Sequence, residues 1–488
     1  MDRRSFLKTA ASSAGAPLLS SKLAKASSAK PNVLLFLLDQ MRRPVWFPDF
    51  ALLENYERLK SHGLEFSNHF VSAVPCSPSR ACLMTGLHMD QNRVYNNMFV
   101  EVQPSLDPRI PTLGRLFQEA GYQTPYFGKW HLIQGSKAKK DPGLKPYGFE
   151  WIMRETLGPF MPGLRKDPDF TRGATNWLSN SSNYSRPWFL TLSLTNPHDI
   201  CAYPRGAVPA SLVPDSIERL PDNWGDDLET KPGCQKEYQK AYGVMSGDFD
   251  IYDEKKWLHY LDYYYFLNRR IDRLLGRVMD ALEASGQIEN TLIIFTSDHG
   301  DMGGSHRLRS KGPCVYRENA NVPLVFHWPG VIPKGSSCDA LTQNVDMFPT
   351  LVGLLGHDAA SRYPHLPGSD LSETLTDPAK VPGRDHALFS FTNNIHLANS
   401  NRLAGKPGVT SPQNIRAIRQ KDFVYARYFD PGRDQEEYEL YDLVNDPLEM
   451  KNLAGDPGYK ALKREMAEKL ARAEAHEMAP VNFESLLK

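Results

Sequence analysis

Residues 291–300 read Thr291-Leu292-Ile293-Ile294-Phe295-Thr296-Ser297-Asp298-His299-Gly300. Six β-branched or large apolar residues run without alternation and then give way to a polar end. Such a run suits a strand buried on both faces, as in parallel sheets. Upstream, Leu267, Ile271, Leu274, Leu275, Val278, Met279 and Leu282 recur at helical spacing, which predicts a helix over 259–284 closed by Gly286. Helix, turn, strand and polar end make one α/β unit.

Working outward, the same grammar recurs. Val33-Leu34-Leu35-Phe36-Leu37-Leu38 ends in Asp39-Gln40, and Trp188-Phe189-Leu190-Thr191-Leu192-Ser193-Leu194 leads to Asn196-Pro197-His198-Asp199. Short helices are expected at 52–59, 113–120 and 346–355, and another strand at 322–326. Residues 200–258 are rich in Pro, Gly, Asp and Trp and read as long surface loops. Their Tyr203, Trp224 and Tyr238 are candidates for stacking on a sugar ring, or for packing the loop. A Pro/Gly-rich stretch at 356–384 marks a boundary. Strands are expected beyond it at 386–391, 415–419 and 423–428, with a last helix carrying Leu462, Met466 and Leu470 on one face. The expected fold class is α/β: a large mixed, mostly parallel sheet flanked by helices over 31–375, and a smaller C-terminal α+β subdomain over 385–488.

Charge excludes some partners. The 488 residues hold 57 basic and 57 acidic side chains, a net +0. Bulk charge draws the chain to neither nucleic acid nor an acidic membrane, so recognition of an anion must be local. No run approaches the roughly 18 apolar residues of a membrane span. Six cysteines, at 76, 82, 201, 234, 314 and 338, include no C-x-x-C pair. Their pairing cannot be read from spacing. At the N-terminus, Arg3-Arg4 precede a weakly apolar stretch and Ala24-Lys25-Ala26, a small-x-small site. Charged, apolar and cleavage parts stand in the order of a twin-arginine signal over 1–26, which predicts a periplasmic or secreted protein.

Two polar strand ends, Asp39-Gln40 and Asp298-His299, would meet at one sheet edge, where α/β folds place ligands. An oxygen-rich set of this kind suits Ca²⁺, Mg²⁺ or Mn²⁺. The remaining chemical signal is Cys76-Ser77-Pro78-Ser79-Arg80-Ala81-Cys82-Leu83-Met84-Thr85-Gly86. Cys-x-Pro-x-Arg is the pattern read by the enzyme that oxidises cysteine to formylglycine, and Leu83, Thr85 and Gly86 at their offsets sharpen it.

With Gly128-Lys129-Trp130-His131, Asn196-Pro197-His198, Ser297-Asp298-His299-Gly300, Lys311-Gly312 and Glu439-Leu440-Tyr441-Asp442-Leu443, all in order, the chain resembles the sulfatase family of the alkaline phosphatase superfamily. The resemblance runs from about Pro31 to Leu453. It implies hydrolysis of a sulfate ester, with a sulfated carbohydrate as the expected substrate. It implies one divalent ion, usually calcium, on Asp39, Gln40, Asp298, His299 and the modified Cys76. Formylglycine hydrate would be the nucleophile, made by a formylglycine-generating enzyme. Arg80 would orient it, Lys129 and Lys311 would neutralise the transferring group, His198 would protonate the leaving alcohol and His131 would release sulfate. His306 and Asn97 are further candidates near the pocket. Gln40 departs from the family, which often carries a second aspartate there. The Asp-Gln pair resembles choline sulfatases and phosphonate monoester hydrolases, which leaves phosphonate or phosphodiester hydrolysis, or a choline-sulfatase-like small-molecule sulfatase, as the rival readings. A non-catalytic glycan-binding protein is the rival from another class.

Overall fold

A computed structural model describes residues 30–482 apart from 47–52, 99–101, 135–142, 155–161, 206–208, 214–216, 246, 248, 393–408, 410–411, 432–433 and 435. The expected export signal lies outside the described residues. In chain order the strands are β1 (Asn32–Asp39), β2 (Leu64–Phe70), β3 (Ala73–Val74), β4 (Pro125–Gly128), β5 (Glu150–Arg154), β6 (Phe189–Pro197) and β7 (Thr291–Ser297). They continue with β8 (Leu324–His327), β9 (Ser336–Gln343), β10 (Ala387–Thr392), β11 (Asn414–Arg419), β12 (Phe423–Phe429) and β13 (Glu436–Asp442).

The large sheet has the order β5-β4-β6-β1-β7-β8-β2-β9. From β5 to β7 every pairing is parallel; β8 is antiparallel to both neighbours, and β2 pairs with β9 in parallel. The sheet is therefore mixed and mostly parallel, as its apolar runs demand. Every residue of β1, β6 and β7 is buried. Alternation survives as a division between two cores. Val33, Leu35 and Leu37 of β1 join Leu292 and Ile294 of β7 on one face. Leu34, Phe36 and Leu38 join Ile293 and Phe295 on the other. Successive side chains of a strand point to opposite faces, so a doubly covered sheet needs apolar residues at every position.

Helices cover both faces. Helix α1 (Cys76–Thr85) contributes Ala81, Leu83 and Met84 to the first core. Helices α2 (Pro162–Leu178) and α3 (Glu254–Ala284) close the second, α3 through Ile271, Leu274, Leu275, Val278, Met279 and Leu282. Helix α3 begins five residues before the expected 259, because Asp253 caps it by accepting from Lys255 N at 3.0 Å and Lys256 N at 3.3 Å.

The second sheet has the order β13-β12-β11-β10-β3. Strands β10 to β13 form an antiparallel meander, and helix α4 (Lys460–Glu477) packs Met466 and Leu470 on it. Its edge strand, β3, comes from the residues just before Cys76 and runs parallel to β10.

The expected loops of 200–258 are only partly loops. Gly233–Met245 is helical. Tyr203 and Tyr238 are buried, which corrects their reading as sugar platforms. Tyr203 packs edge-on against Tyr260, and the Tyr238 hydroxyl donates to the Lys311 carbonyl. Trp224 is half-buried, with the Arg307 guanidinium 4.5 Å from its ring. Among the described residues no helix is long and apolar enough to cross a membrane.

Candidate active site

Strands β4, β6, β1 and β7 are contiguous and parallel, so their carboxyl ends share one edge. Lys129 follows β4, His198 follows β6, Asp39 ends β1 and Asp298 follows β7. Gly128 makes the first of these turns possible. Its φ is 101°, and a Cβ there would lie 2.0 Å from the Ser193 carbonyl oxygen of the neighbouring strand. Helix α1 starts at Cys76 and points its first turn into the same edge.

The expected ligands converge. One donor atom from each of Asp39, Cys76, Asp298 and His299 lies within 4.8 Å of the others. His299 Nε2 is 3.2 Å from Cys76 Sγ and 3.6 Å from both Asp39 Oδ1 and Asp298 Oδ1. His299 Nδ1 lies 2.9 Å from the Gly300 carbonyl oxygen. A ring that donates from Nδ1 to that carbonyl turns the Nε2 lone pair toward the cluster, the way metal-binding histidines are commonly held. Burial lowers the affinity of His299 for a proton, which also leaves the lone pair available. Two carboxylates, an imidazole lone pair and a fourth donor fit a divalent cation. Gln40 lies beside this set: its backbone N donates to Asp298 Oδ1 at 3.1 Å, and its side-chain Oε1 accepts from Lys311 Nζ.

A ring of cations surrounds the cluster. Arg80 is fully buried and donates from Nε to Asp298 Oδ2 at 2.7 Å and from Nη1 to the Lys129 carbonyl at 2.9 Å. Its Nη2 has no hydrogen-bond partner among the described residues and lies 3.6 Å from Asp39 Oδ2. A buried donor left open in this way suits an incoming oxyanion. Lys129 Nζ bonds Asp39 Oδ2. Burial would raise the Asp39 carboxyl, but Lys129, His198 and Arg80 outweigh it and hold the group well below its usual range. Burial and the Asp39 charge push the Cys76 thiol up to about 12, so the encoded side chain stays protonated.

His131 and His198 are partly exposed, whereas Asp39, Cys76, Asp298 and His299 are buried. Burial and Lys129 take His131 well below its ordinary value, and burial and Lys311 do the same to His198. Lys311 moves the other way: burial disfavours its charge, but Cys201, Cys76 and Asp39 raise it well above the usual lysine value. Gln40 (φ 77°), His131 (φ 58°) and Ser310 (φ 64°) adopt left-handed backbone, a strain that clusters at functional sites.

Two weaker candidates, Asn97 and His306, make bracing contacts. Asn97 Oδ1 accepts from Ser77 N at 3.0 Å and braces the start of α1. His306 is buried, lies 2.7 Å through Nδ1 from Asp226 Oδ2, and stacks on Tyr316 at 3.7 Å, anchoring the loop that leads to Lys311. Three further residues border the site: Cys201, Asp301 and Ser310. Cys201 Sγ lies 3.4 Å from Lys311 Nζ. Asp301, two residues beyond His299, carries the one signal legible in sequence, an acid near a strand end. Cys201 and Ser310 carry no such signal.

The family model described as Sulfatase matches residues 31–357, well over half of the chain. The chain belongs to the sulfatase family. A second model, N-sulphoglucosamine sulphohydrolase, C-terminal, matches residues 304–476. This sulfatase is 27% identical over 447 residues to a Delta 4,5-hexuronate-2-O-sulfatase of Bacteroides thetaiotaomicron, covering 89% of this chain and 87% of the relative. It is 25% identical over 519 residues to an N-acetylglucosamine-6-O-sulfatase of the same organism, covering 91% and 86%. The solved structure of a 2-O GAG sulfatase superposes with a TM-score of 0.75 at 25% identity, covering 92% of this chain and 93% of that one. The sulfatase is thus a sulfuric ester hydrolase with an alkaline phosphatase-like fold.

Proposed function

We propose that this sulfatase removes sulfate from a sulfated carbohydrate, with Cys76 oxidised to formylglycine and Ca²⁺ held by Asp39, Gln40, Asp298, His299 and position 76. The observation that carries the reading is the four-donor cluster at the sheet edge, ringed by Arg80, Lys129 and Lys311. The carbohydrate class is supported by relatives named for sulfated hexuronate and N-acetylglucosamine.

A divalent cation held by Asp39, Gln40, Asp298, His299 and position 76 would supply Lewis-acid polarisation of a sulfuryl oxygen. Formylglycine, as its hydrate, supplies two hydroxyls on one carbon, one to take the sulfuryl group and one to lose a proton as sulfate departs. The chain's own residues do the rest. Arg80 orients both carboxylates and presents Nη2 to an oxyanion. Lys129 beside Asp39 and Lys311 beside Gln40 balance the charge of the transferring group. His198, with Lys311 beside it, protonates the leaving alcohol; a bound sulfate anion draws a proton onto a ring that is otherwise neutral. His131, held neutral by burial, Lys129 and Arg80, accepts the proton that frees sulfate.

Two measurements test this. Mass spectrometry of the peptide containing Cys76, from a host with formylglycine-generating enzyme, should show the aldehyde in place of the thiol. Parallel turnover of an aryl sulfate and an aryl phosphonate should favour the sulfate. The neutral Gln40 is the feature that favours the phosphonate alternative, and a strong phosphonate preference would overturn the sulfate assignment. Export to the periplasm is supported by Arg3-Arg4 and Ala24-Lys25-Ala26. An Arg3→Lys/Arg4→Lys variant should then remain in the cytoplasm.

A further inference from the structure

Gln40 is wholly buried, and its amide has two unlike ends. Which end faces the ligand cluster decides whether the cation meets an oxygen or an NH₂ group. Nε2 donates to Asp301 Oδ2 at 2.6 Å and lies 3.4 Å from Ser310 Oγ. Oε1 accepts from Lys311 Nζ and from Cys201 Sγ at 3.1 Å. Asp301 is itself pinned, because its Oδ1 accepts from Gly303 N at 2.7 Å and from the Tyr260 hydroxyl at 3.1 Å. A carboxylate accepts and does not donate, so it can take only the NH₂ end of the amide. The opposite end, Oε1, must then face Lys311, whose charge also reaches Cys76 and Asp39.

We propose that Asp301 is a positioning residue for the cation: by taking the NH₂ end of the Gln40 amide it locks Oε1 on the side of Lys311, beside the ligand cluster. The proposal rests on the cation reading above. The test is titration of chelator-treated full-length protein with Ca²⁺, in the wild type, Asp301→Asn, Gln40→Glu and the double variant, with Asp39→Ala as the site control. Asp301→Asn keeps its one oxygen on Gly303 N and the Tyr260 hydroxyl, so its NH₂ meets the Gln40 NH₂, and Ca²⁺ binding should weaken by about 10–100-fold, the usual cost of losing an outer-shell partner. In the Gln40→Glu background the same change should instead tighten binding. There it separates two facing carboxylates and gives the carboxylate introduced at position 40 a donor. This reversal of sign is the readout that a merely structural Asp301 would not produce.

A loss below about tenfold in the Gln40 background overturns the proposal, as does weakening in both backgrounds. If Asp301→Asn fails to fold, Gln40→Glu against the double variant still reads the sign. Wild-type protein that binds no Ca²⁺, or binds it equally well as Asp39→Ala, overturns the cation reading and this inference with it. Binding lost in Asp39→Ala but unchanged in Asp301→Asn overturns only the inference.

Discussion

Cys76 sits wholly buried, with Asp39 and His299 beside its sulfur. Replacing it with Ala removes one atom from a packed floor and should cost on the order of 1 kcal/mol. Cys76→Ala should therefore keep nearly the wild-type melting temperature and release no sulfate; residual turnover above background would contradict a nucleophile at this position. His198 makes a different claim, because its proton matters only when the leaving alcohol is poor. His198→Ala should lower kcat by about 10²–10⁴-fold on an alkyl or sugar sulfate, and far less on 4-nitrophenyl sulfate. Steady-state kinetics on both substrates check this, and equal losses would remove His198 from the general-acid role.

Among the elements, α4 shows how charge docks a helix. Its last residue, Glu477, lies with Oε1 2.7 Å from His386 Nε2 and with Oε2 3.4 Å from His88 Nε2 and 3.6 Å from Arg384 Nη1. Burial would raise the Glu477 carboxyl, but His386, His88 and Arg384 hold it well below its ordinary 4.5. Burial would lower His386, but Glu477 and Asp385 raise it above its ordinary 6.5. A depressed carboxyl stabilises above its unfolded value and loses that contribution as pH falls through its folded value. A raised histidine stabilises below its unfolded value and loses that contribution as pH rises through its folded value. The clasp is thus fully engaged between about pH 4.5 and 6.5. His386→Gln should flatten the decline of melting temperature with pH above 6.5. An unchanged slope would show that the clasp does not titrate.

At the scale of the whole molecule, the C-terminal sheet takes its edge strand from the residues that lead into Cys76. Strand β3 pairs Ala73 with Ser390 and Val74 with Phe391, and Cys76 follows two residues later. Ser390 N also donates to the Ser72 carbonyl at 2.9 Å. The site therefore depends on residues beyond 385, and calorimetry should find one unfolding transition; two separated transitions would contradict this coupling. Net charge of +0 fits a molecule whose proposed anion site gathers its cations locally, in the buried Arg80, Lys129 and Lys311. The sequence by itself determined what short-range order can encode. Unbroken apolar runs ending in Asp39-Gln40 and Asp298-His299 specify doubly buried strands and a shared polar edge. The contiguous pattern from Cys76 to Gly86 specifies the proposed nucleophile. One helical face specifies most of α3. Only the tertiary structure decided what crosses long separations. Ser310 and Asp301 meet Gln40 from 270 and 261 residues away. Strand β3 joins a sheet built from the other end of the chain, and Tyr203 and Tyr238 turn inward instead of toward a sugar. Periodicity reports which face of an element is buried. It says nothing of which distant loop will lie against that face, because strand order and crossovers set those neighbours.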